Sequence, residues 1–263
     1  MASDDPAMQE GRVTRGVESA PRAGSTPAHY LHEALAVVFQ VREGSLHVLA
    51  WRRARDPFAG SWALPGGLLG PHELLGASLS RHLAHKVDLA DVASLIQLET
   101  RSDEDRDPRG RTIATAYLVV VATDRHPLVP EDTAWHPVDD LPAMAFDHAS
   151  IVASARERLR ATLTYTNIGY ALAPREFTIA ELRAIYVACI GHPIAATNLQ
   201  RVLLRRRLIE ATGTTAPPTR AGGRPATRYR FRDRRLIVSN PFAAFRPPEG
   251  LSRASSPTRT RAD

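Results

Sequence analysis

One predicted helix carries most of the side chains whose types and spacing suit chemistry. Residues from about Gly76 to Val87 follow a helical apolar pattern, and His82, His85 and Lys86 lie on one face of that helix at offsets of zero, three and four. This face is neutral to cationic, so it would not attract Mg²⁺. A lysine and two histidines suit a different task, which is to act as counter-charges for a bound phosphate group.

The frame around this helix resembles the Nudix box. Residues 67–89 are GLLGPHELLGASLSRHLAHKVDL, and the family's pattern is matched at the correct spacing by Gly67, Glu73, Arg81, Leu83 and Leu89. In Nudix hydrolases, glutamates of the helix hold the divalent metal that pyrophosphate hydrolysis needs. Their three positions are occupied here by His82, His85 and Lys86, and the closing glycine is Asp88. The resemblance implies a Nudix fold that binds a pyrophosphate without cleaving it, with no catalytic residue, no metal and no enzymatic activity.

Other interpretations of this segment stay open. His82, His85 and Glu73 could form a zinc-like site, although further ligands are not evident. The helix face could also be a solvated surface in a domain that has lost its ligand. A further alternative is an enzyme, namely an ADP-ribose pyrophosphatase with a nucleic-acid-binding appendage, whose acids would be Glu73, Asp103, Glu104 or Asp105.

Charge is distributed unevenly along the 263 residues. Residues 1–150 hold 14 Lys and Arg against 21 Asp and Glu, a net charge of −7, whereas residues 151–263 hold 20 Arg against 7 Asp and Glu, a net charge of +13. Such a basic half predicts a polyanionic partner, first of all nucleic acid, for the C-terminal domain. The single cysteine excludes an intrachain disulfide. We expect a cytoplasmic protein without membrane contact, because there is neither a long apolar run nor a signal pattern.

The predicted elements divide the chain into two domains between two disordered tails. We expect tails at 1–28 and 241–263, a Nudix-like effector-binding domain at 29–163 and a DNA-binding domain at 164–240. The first domain opens with a β-hairpin, EALAVVFQV and SLHVLAWRR, and its helix buries Leu79, Leu83 and Val87. The fold class is α+β: a Nudix-type α/β/α sandwich followed by a C-terminal winged helix-turn-helix domain.

The second domain has the pattern of a helix-turn-helix followed by a wing. After a linker or docking segment from about Tyr165, Thr178 and Glu181 predict a capping box, and Gly191 ends that first helix. A second helix, ATNLQRVLLRRRL, buries Leu199, Val202 and Leu203, and the strand RYRFR closes a hairpin with a long tip. The candidate DNA contacts on the second helix and the hairpin are Thr197, Asn198, Gln200, Arg201, Arg205, Arg220, Arg224 and Arg228. Arg224, at the tip, suits the minor groove.

From about His29 to Arg232, the chain resembles the Nudix-related transcriptional regulators of NAD metabolism, the NrtR type. The resemblance is carried by WALPGG at 62–67, DPRGR at 107–111, AFDH at 145–148, FTIAEL at 177–182 and GRPATRYRF at 223–231. It implies a homodimeric repressor that binds palindromic operators near NAD biosynthesis or salvage genes. It also implies ADP-ribose as the effector, with no other cofactor.

A nucleotide diphosphate needs cationic or amide donors around the predicted helix. The candidate effector-binding residues are Arg53, Gly66, Gly67, Glu73, Arg81, His82, His85, Lys86, Arg109 and Arg111. Arg109 lies in the acidic loop SDEDRDPRG and Arg111 directly follows it, so internal ion pairs are an equally good account of these two. For adenine the aromatic candidates are Trp62, Trp135 and Phe146, each of which also suits the core.

Overall fold

The computed structural model describes residues 29–89, 94–217 and 225–239. The two expected tails, 1–28 and 241–263, lie outside the described residues, as do Arg220 and Arg224 at the predicted wing tip. Within the part of the chain that is described, no helix is both long and apolar enough to cross a membrane.

A mixed sheet of seven strands forms the first half of the structure. Its strands are β1 (Leu31–Arg42), β2 (Ser45–Arg52), β3 (Trp62–Ala63), β4 (Gly66–Leu68), β5 (Leu95–Arg101), β6 (Thr112–Val121) and β7 (Thr133–Pro137). The order is β3-β2-β1-β6-β5, with β4 paired to β1 and β7 paired to β2. The predicted antiparallel hairpin of β1 and β2 is confirmed, and β6 runs parallel to β1 on its other side.

Two helices cover the sheet on opposite faces, and the alternation of side chains along β1 explains how. The even-numbered residues from 34 to 38 share an apolar cluster with α1 (Leu75–Val87), through the predicted stripe of Leu79, Leu83 and Val87. The odd-numbered residues from 35 to 39 belong to the cluster that contains the apolar side of α2 (His148–Tyr165). Because both faces are covered, β1 is apolar throughout its centre. The α/β/α layering is as predicted.

The described residues of the second half form three short helices and a small antiparallel sheet. Its elements are α3 (Gly169–Leu172), β8 (Phe177–Thr178), α4 (Ile179–Ile190), α5 (Ala196–Arg205), β9 (Ile209–Ala216) and β10 (Ala226–Phe231), with the strands in the order β8-β10-β9. The capping box of Thr178 and Glu181 is confirmed, and Gly191 ends α4 at a φ of +82°. Leu199, Val202 and Leu203 are buried on α5, as predicted.

The segment between the two halves is part of the core and is not a linker. Tyr170, Ala171 and Leu172 are at most 2% exposed and belong to one apolar cluster with residues of β1, α2 and α4. Asn167, 1% exposed, donates to the carbonyls of Asp233 and Arg235 and accepts from the backbone N–H of Ile237. The chain that follows β10 is therefore fixed to the end of α2. The predicted domain boundary after residue 163 falls in the last turn of α2 and remains a proposal.

Candidate functional site

A cavity of about 590 Å³ opens between β1, β4, α1 and the loop before β6. Its position follows from the sheet, since the turn from β3 to β4 brings the glycines of the LPGG motif beside α1. Six of the ten predicted effector-binding residues line it: Arg53, Gly66, Gly67, His82, Lys86 and Arg109. The other four lie outside the lining: Glu73, Arg81, His85 and Arg111.

Lys86 stands at one of the carboxylate positions of the Nudix pattern and places a cation in the cavity wall. Its Nζ donates a hydrogen bond of 2.7 Å to the carbonyl oxygen of Gly66 and lies 4.5 Å from the ring centroid of Trp51. Burial, and then the nearby charge of Arg53, lower the pKa of Lys86 from its usual value. An ammonium group has three N–H donors, so further donors remain for a ligand oxygen.

Gly66 of the cavity is required by close approach of the backbone, whereas Gly67 is packed against a side chain. At Gly66 a Cβ would collide with the carbonyl oxygen of Ala34 on β1, and at Gly67 it would lie 2.5 Å from the ring of His82. His82 is half-buried, its Nε2 lies 3.1 Å from the carbonyl oxygen of Leu68, and burial lowers its pKa. The strand and the helix are thus held together at the cavity floor through His82 and Lys86.

Glu73 and Arg81 form an ion pair beside the cavity. Arg81 Nε and Nη2 donate to the two carboxylate oxygens of Glu73 at 2.8 and 2.7 Å, and the backbone N–H of Gly70 donates to the same carboxylate. These hydrogen bonds, above all those from Arg81, lower the pKa of Glu73 to about 2. Since Glu73 is paired and His85 is exposed outside the cavity, the zinc-like alternative loses its ligand set. No group of three His, Cys, Asp or Glu that could hold a metal occurs in the described ranges.

The Glu73–Arg81 pair gives a pH prediction. Because folding lowers the pKa of this carboxyl from 4.5 to about 2, its stabilising contribution is complete above pH 4.5 and is lost as the pH falls through about 2. At pH 3 a ¹³C NMR spectrum should therefore find the Glu73 carboxylate still ionised in the wild type and largely protonated in Arg81→Met. A wild-type titration midpoint near 4 would contradict the pairing.

An aromatic residue flanked by two guanidinium groups forms another wall of the cavity. Arg53 and Arg109 lie 4.8 and 5.7 Å from the ring centroid of Phe146. Arg109 is also paired with Asp107 at 2.6 Å, whereas Arg53 has no carboxylate partner among the described residues and donates to the carbonyl of Pro57. Of the three aromatic candidates for adenine, Phe146 lines the cavity. Trp62 and Trp135 are outside the lining.

Arg111 is used for internal contacts. It pairs with Glu104 and lies 5.0 Å from the ring centroid of Tyr30. Arg109 pairs with Asp107, so Arg109 and Arg111 both make the ion pairs considered as the alternative to ligand binding. Arg109 does so while still lining the cavity.

Three further residues shape this site, although their types and spacing did not mark them as site residues. Trp51 lies under the ammonium group of Lys86, and His148 lines the cavity wall. Arg106, whose side chain is 2% exposed, joins Glu33 of β1 to Asp147 at the start of α2. Asp147 and His148 belong to the AFDH motif, which was a signal that these positions matter. The contacts that each of these side chains makes are seen only in the tertiary structure.

Helix α5, the second helix of the predicted helix-turn-helix, presents a partly basic surface. Thr197, Arg201 and Arg205 are exposed, and Arg201 donates to the side-chain oxygen of Asn198 at 2.8 Å. Gln200 is half-buried and its amide nitrogen donates to the hydroxyl of Tyr229 on β10, so it joins helix to wing. Arg228 is half-buried on β10, opposite Thr178 of β8.

The comparison with known proteins agrees with this arrangement. Two family models match, the NUDIX domain over residues 31–155 and the NrtR DNA-binding winged helix domain over residues 169–231. The ADPR responsive transcriptional repressor NtrR of Acinetobacter baylyi is 32% identical over 203 residues, which are 74% of this chain and 79% of that protein. This chain belongs to the NrtR-type regulators. The crystal structure of Shewanella oneidensis NrtR complexed with a 27mer DNA matches with a TM-score of 0.65 and 29% identity, over 76% of this chain and 92% of that one.

Membership of the NrtR-type family confirms the predicted fold class and the order of a Nudix domain followed by a winged helix. The Nudix half of the chain is also similar to an enzyme. The ADP-ribose pyrophosphatase of Methanocaldococcus jannaschii is 31% identical over 127 residues, which are 47% of this chain and 73% of that protein. The first domain of this chain is thus similar in sequence to a hydrolase. Similarity alone does not separate a sensor from an enzyme, so the distinction depends on the residues of the site.

Proposed function

We propose that this protein is an ADP-ribose-responsive transcriptional repressor that controls genes of NAD biosynthesis or salvage and does not hydrolyse its effector. The observation that carries the proposal is Lys86, an ammonium group in the cavity wall where the Nudix pattern has a metal-binding carboxylate. The family relatives support both halves of the function. One is named as an ADPR responsive repressor, and another was crystallised with DNA.

The cavity has the charge that a nucleotide diphosphate requires. Arg53 and Lys86 line it without an ion pair among the described residues. Of its three acids, Glu33 is neutralised by Arg106 and Asp107 by Arg109, and the third is Asp56. Cationic donors can hold a diphosphate without metal. Cleavage would further need a polarising cation and an activated water, and the helix face supplies no carboxylate cluster to bind that cation. The same residues therefore favour binding and oppose hydrolysis.

The DNA-binding half follows from the basic charge and the exposed side chains of α5. Phosphate contacts dominate DNA affinity, and a recognition helix places the residues of its N-terminal part against base edges. We assign that task to Thr197, Asn198 and Arg201, with Arg205 as a phosphate contact, while Gln200 supports the wing through Tyr229. A homodimer on a palindromic operator follows from the two-fold symmetry usual for helix-turn-helix proteins.

A gel-shift assay tests the whole proposal. The purified chain is titrated into promoter DNA from upstream of NAD biosynthesis genes, with and without ADP-ribose, and calorimetry measures ADP-ribose binding separately. We expect a specific shift that ADP-ribose alters. Absence of a shift together with absence of heat at millimolar ADP-ribose would overturn the assignment.

Arginines of α5 provide a test of the DNA surface. Each of Arg201→Ala and Arg205→Ala should weaken operator binding about tenfold or more, because a side-chain contact to a base or phosphate contributes roughly 1–3 kcal/mol. The measurement is fluorescence anisotropy at several salt concentrations. Arg125→Ala, an exposed arginine in the turn after β6, is the matched control and should leave DNA affinity unchanged. Wild-type operator affinity in both α5 variants would exclude this helix as the DNA-reading element.

Hydrolysis of ADP-ribose is the second candidate function, favoured by the likeness to the archaeal pyrophosphatase. Its acids would have to come from outside the helix face, and of these Glu73 is paired with Arg81 and Glu104 with Arg111. Incubation with ADP-ribose and Mg²⁺ or Mn²⁺, followed by separation of the nucleotides, distinguishes the two. Turnover of ADP-ribose would show that the protein is an enzyme and contradict the proposal of a sensor that does not hydrolyse its effector.

A further inference from the structure

His148, the first residue of α2, places a buried imidazole in the wall of the cavity. The residue is 3% exposed, and its Nδ1 lies 3.0 Å from the backbone nitrogen of Leu64. A backbone N–H can only donate, so Nδ1 accepts this hydrogen bond and carries no proton. In the neutral ring the proton must then be on Nε2, which makes that atom a hydrogen-bond donor.

This donor has no protein acceptor within residues 29–89, 94–217 and 225–239. Burial lowers the pKa of His148 to about 3, so the ring is neutral and Nε2 keeps its single proton at pH 7. Buried polar groups in folded proteins are almost always hydrogen-bonded, so a donor without a protein acceptor in a cavity wall calls for a partner such as a ligand oxygen or a water. The tautomer of His148 is fixed by Leu64 while its second nitrogen stays free.

The surroundings of His148 favour an oxygen of the ligand as the acceptor. Phe146, which also lines the cavity and is half-buried, packs against the imidazole with 5.3 Å between ring centroids. Nε2 itself is closed off from solvent. Two of the three acids of the lining, Glu33 and Asp107, are paired with arginines, and Nε2 has no hydrogen bond to the third, Asp56. Ribosyl hydroxyls and phosphates offer the oxygen acceptors that these residues do not supply.

Resting on the proposed function, we propose that His148 is a ligand-binding residue whose Nε2–H donates a hydrogen bond to an oxygen of the bound nucleoside diphosphate sugar, reached when the ring of Phe146 turns aside. The acceptor is a ribose hydroxyl or a phosphate oxygen. His148 thereby connects the ligand directly to the first turn of α2, whose other end carries Asn167 and the winged domain.

Two substitutions separate ligand binding from structural support. In His148→Asn the side-chain oxygen replaces Nδ1 as acceptor for the Leu64 N–H, but the donor at the position of Nε2 is lost. In His148→Gln an amide N–H replaces Nε2, and the bond to Leu64 is lost instead. We expect His148→Asn to bind ADP-ribose about tenfold more weakly with a nearly unchanged Tm. His148→Gln should have a lower Tm but an affinity close to that of the wild type.

A direct readout uses the full chain labelled with ¹⁵N-histidine. The free protein should have an unprotonated Nδ1 and a protonated Nε2 at His148, identified by the signals missing in His148→Asn, and ADP-ribose should shift the Nε2–H proton downfield. Titration with ADP then locates the acceptor. A loss in His148→Asn for both ligands places the bond at a phosphate or the adenosine ribose, and a loss for ADP-ribose alone places it at the terminal ribose.

The outcomes distinguish this residue from the function as a whole. If the wild type binds ADP-ribose while His148→Asn binds equally well and the Nε2–H signal does not move, His148 is not a ligand contact and the proposed function stands. If the wild type does not bind ADP-ribose at all, the effector assignment fails and the role of His148 fails with it.

Discussion

Replacing Lys86 by glutamate should weaken ADP-ribose binding by roughly 100-fold. The substitution removes a charged donor in the cavity wall and puts a carboxylate beside the carbonyl of Gly66 and the ring face of Trp51, where no donor replaces the lost hydrogen bond. A hydrogen bond to a charged group contributes about 1.5–3 kcal/mol, and each 1.4 kcal/mol is tenfold in affinity. Calorimetry with ADP-ribose measures the loss.

The controls for Lys86→Glu separate charge from packing. Lys86→Met keeps most of the aliphatic stem against Trp51 and removes the charge, so its affinity should lie between those of the wild type and Lys86→Glu. Both variants should bind operator DNA as the wild type does, but in Lys86→Glu ADP-ribose should no longer alter the gel shift. Unchanged ADP-ribose affinity in Lys86→Glu would refute the role of Lys86 as phosphate counter-charge.

Replacing Arg106 by methionine should lower the free energy of unfolding by about 3–5 kcal/mol, the cost of breaking a buried ion pair by removing one partner. The Arg106 side chain is 2% exposed and donates to Glu33 at 2.8 Å and to Asp147 at 2.9 and 3.3 Å. Without it, two largely buried carboxylates of β1 and of the α2 N-terminus lose their cation. Urea denaturation at pH 7 gives the difference.

Two further measurements identify the buried charge as the cause. Adding Glu33→Gln and Asp147→Asn to Arg106→Met should recover part of the lost stability, because the unpaired charges are removed. Arg230→Met breaks the more exposed pair with Glu210 and should cost less than about 1 kcal/mol. Equal losses for Arg106→Met and Arg230→Met would mean that burial of the Arg106 network has no energetic consequence.

Much of the fold follows from local patterns. The buried stripe of α1, the hairpin of β1 and β2, the capping box at Thr178 and the glycine end of α4 each depend on residues close in sequence. The segment after α2 was partly misread because apolar residues interrupted by Asn167 and Gly169 also fit a linker. Asn167 is held by contacts with residues 233–237, about 70 positions away, and Tyr170 to Leu172 pack against β1, α2 and α4.

The candidate site divides in the same way. The frame of the Nudix box identified His82 and Lys86, both of which line the cavity, and it also selected Glu73, Arg81 and His85, which do not. Spacing along a helix defines a face, but it cannot say which part of that face meets the cavity. The pattern of the Nudix box likewise does not indicate that Arg81 and Glu73, eight residues apart, form an ion pair.

The sequence alone determined three features: the basic second half, the order of the two domains, and the helix that carries His82, His85 and Lys86 in place of carboxylates. It could do so because residue type, charge and periodicity are local properties. Tertiary structure decided which cations face the cavity, that Arg106 joins Glu33 to Asp147, and that His148 keeps a free donor beside Phe146. The physical reason is distance. These contacts join positions 41 to 84 residues apart, and burial and the hydrogen bonds that depend on it exist only once the sheet brings those positions together.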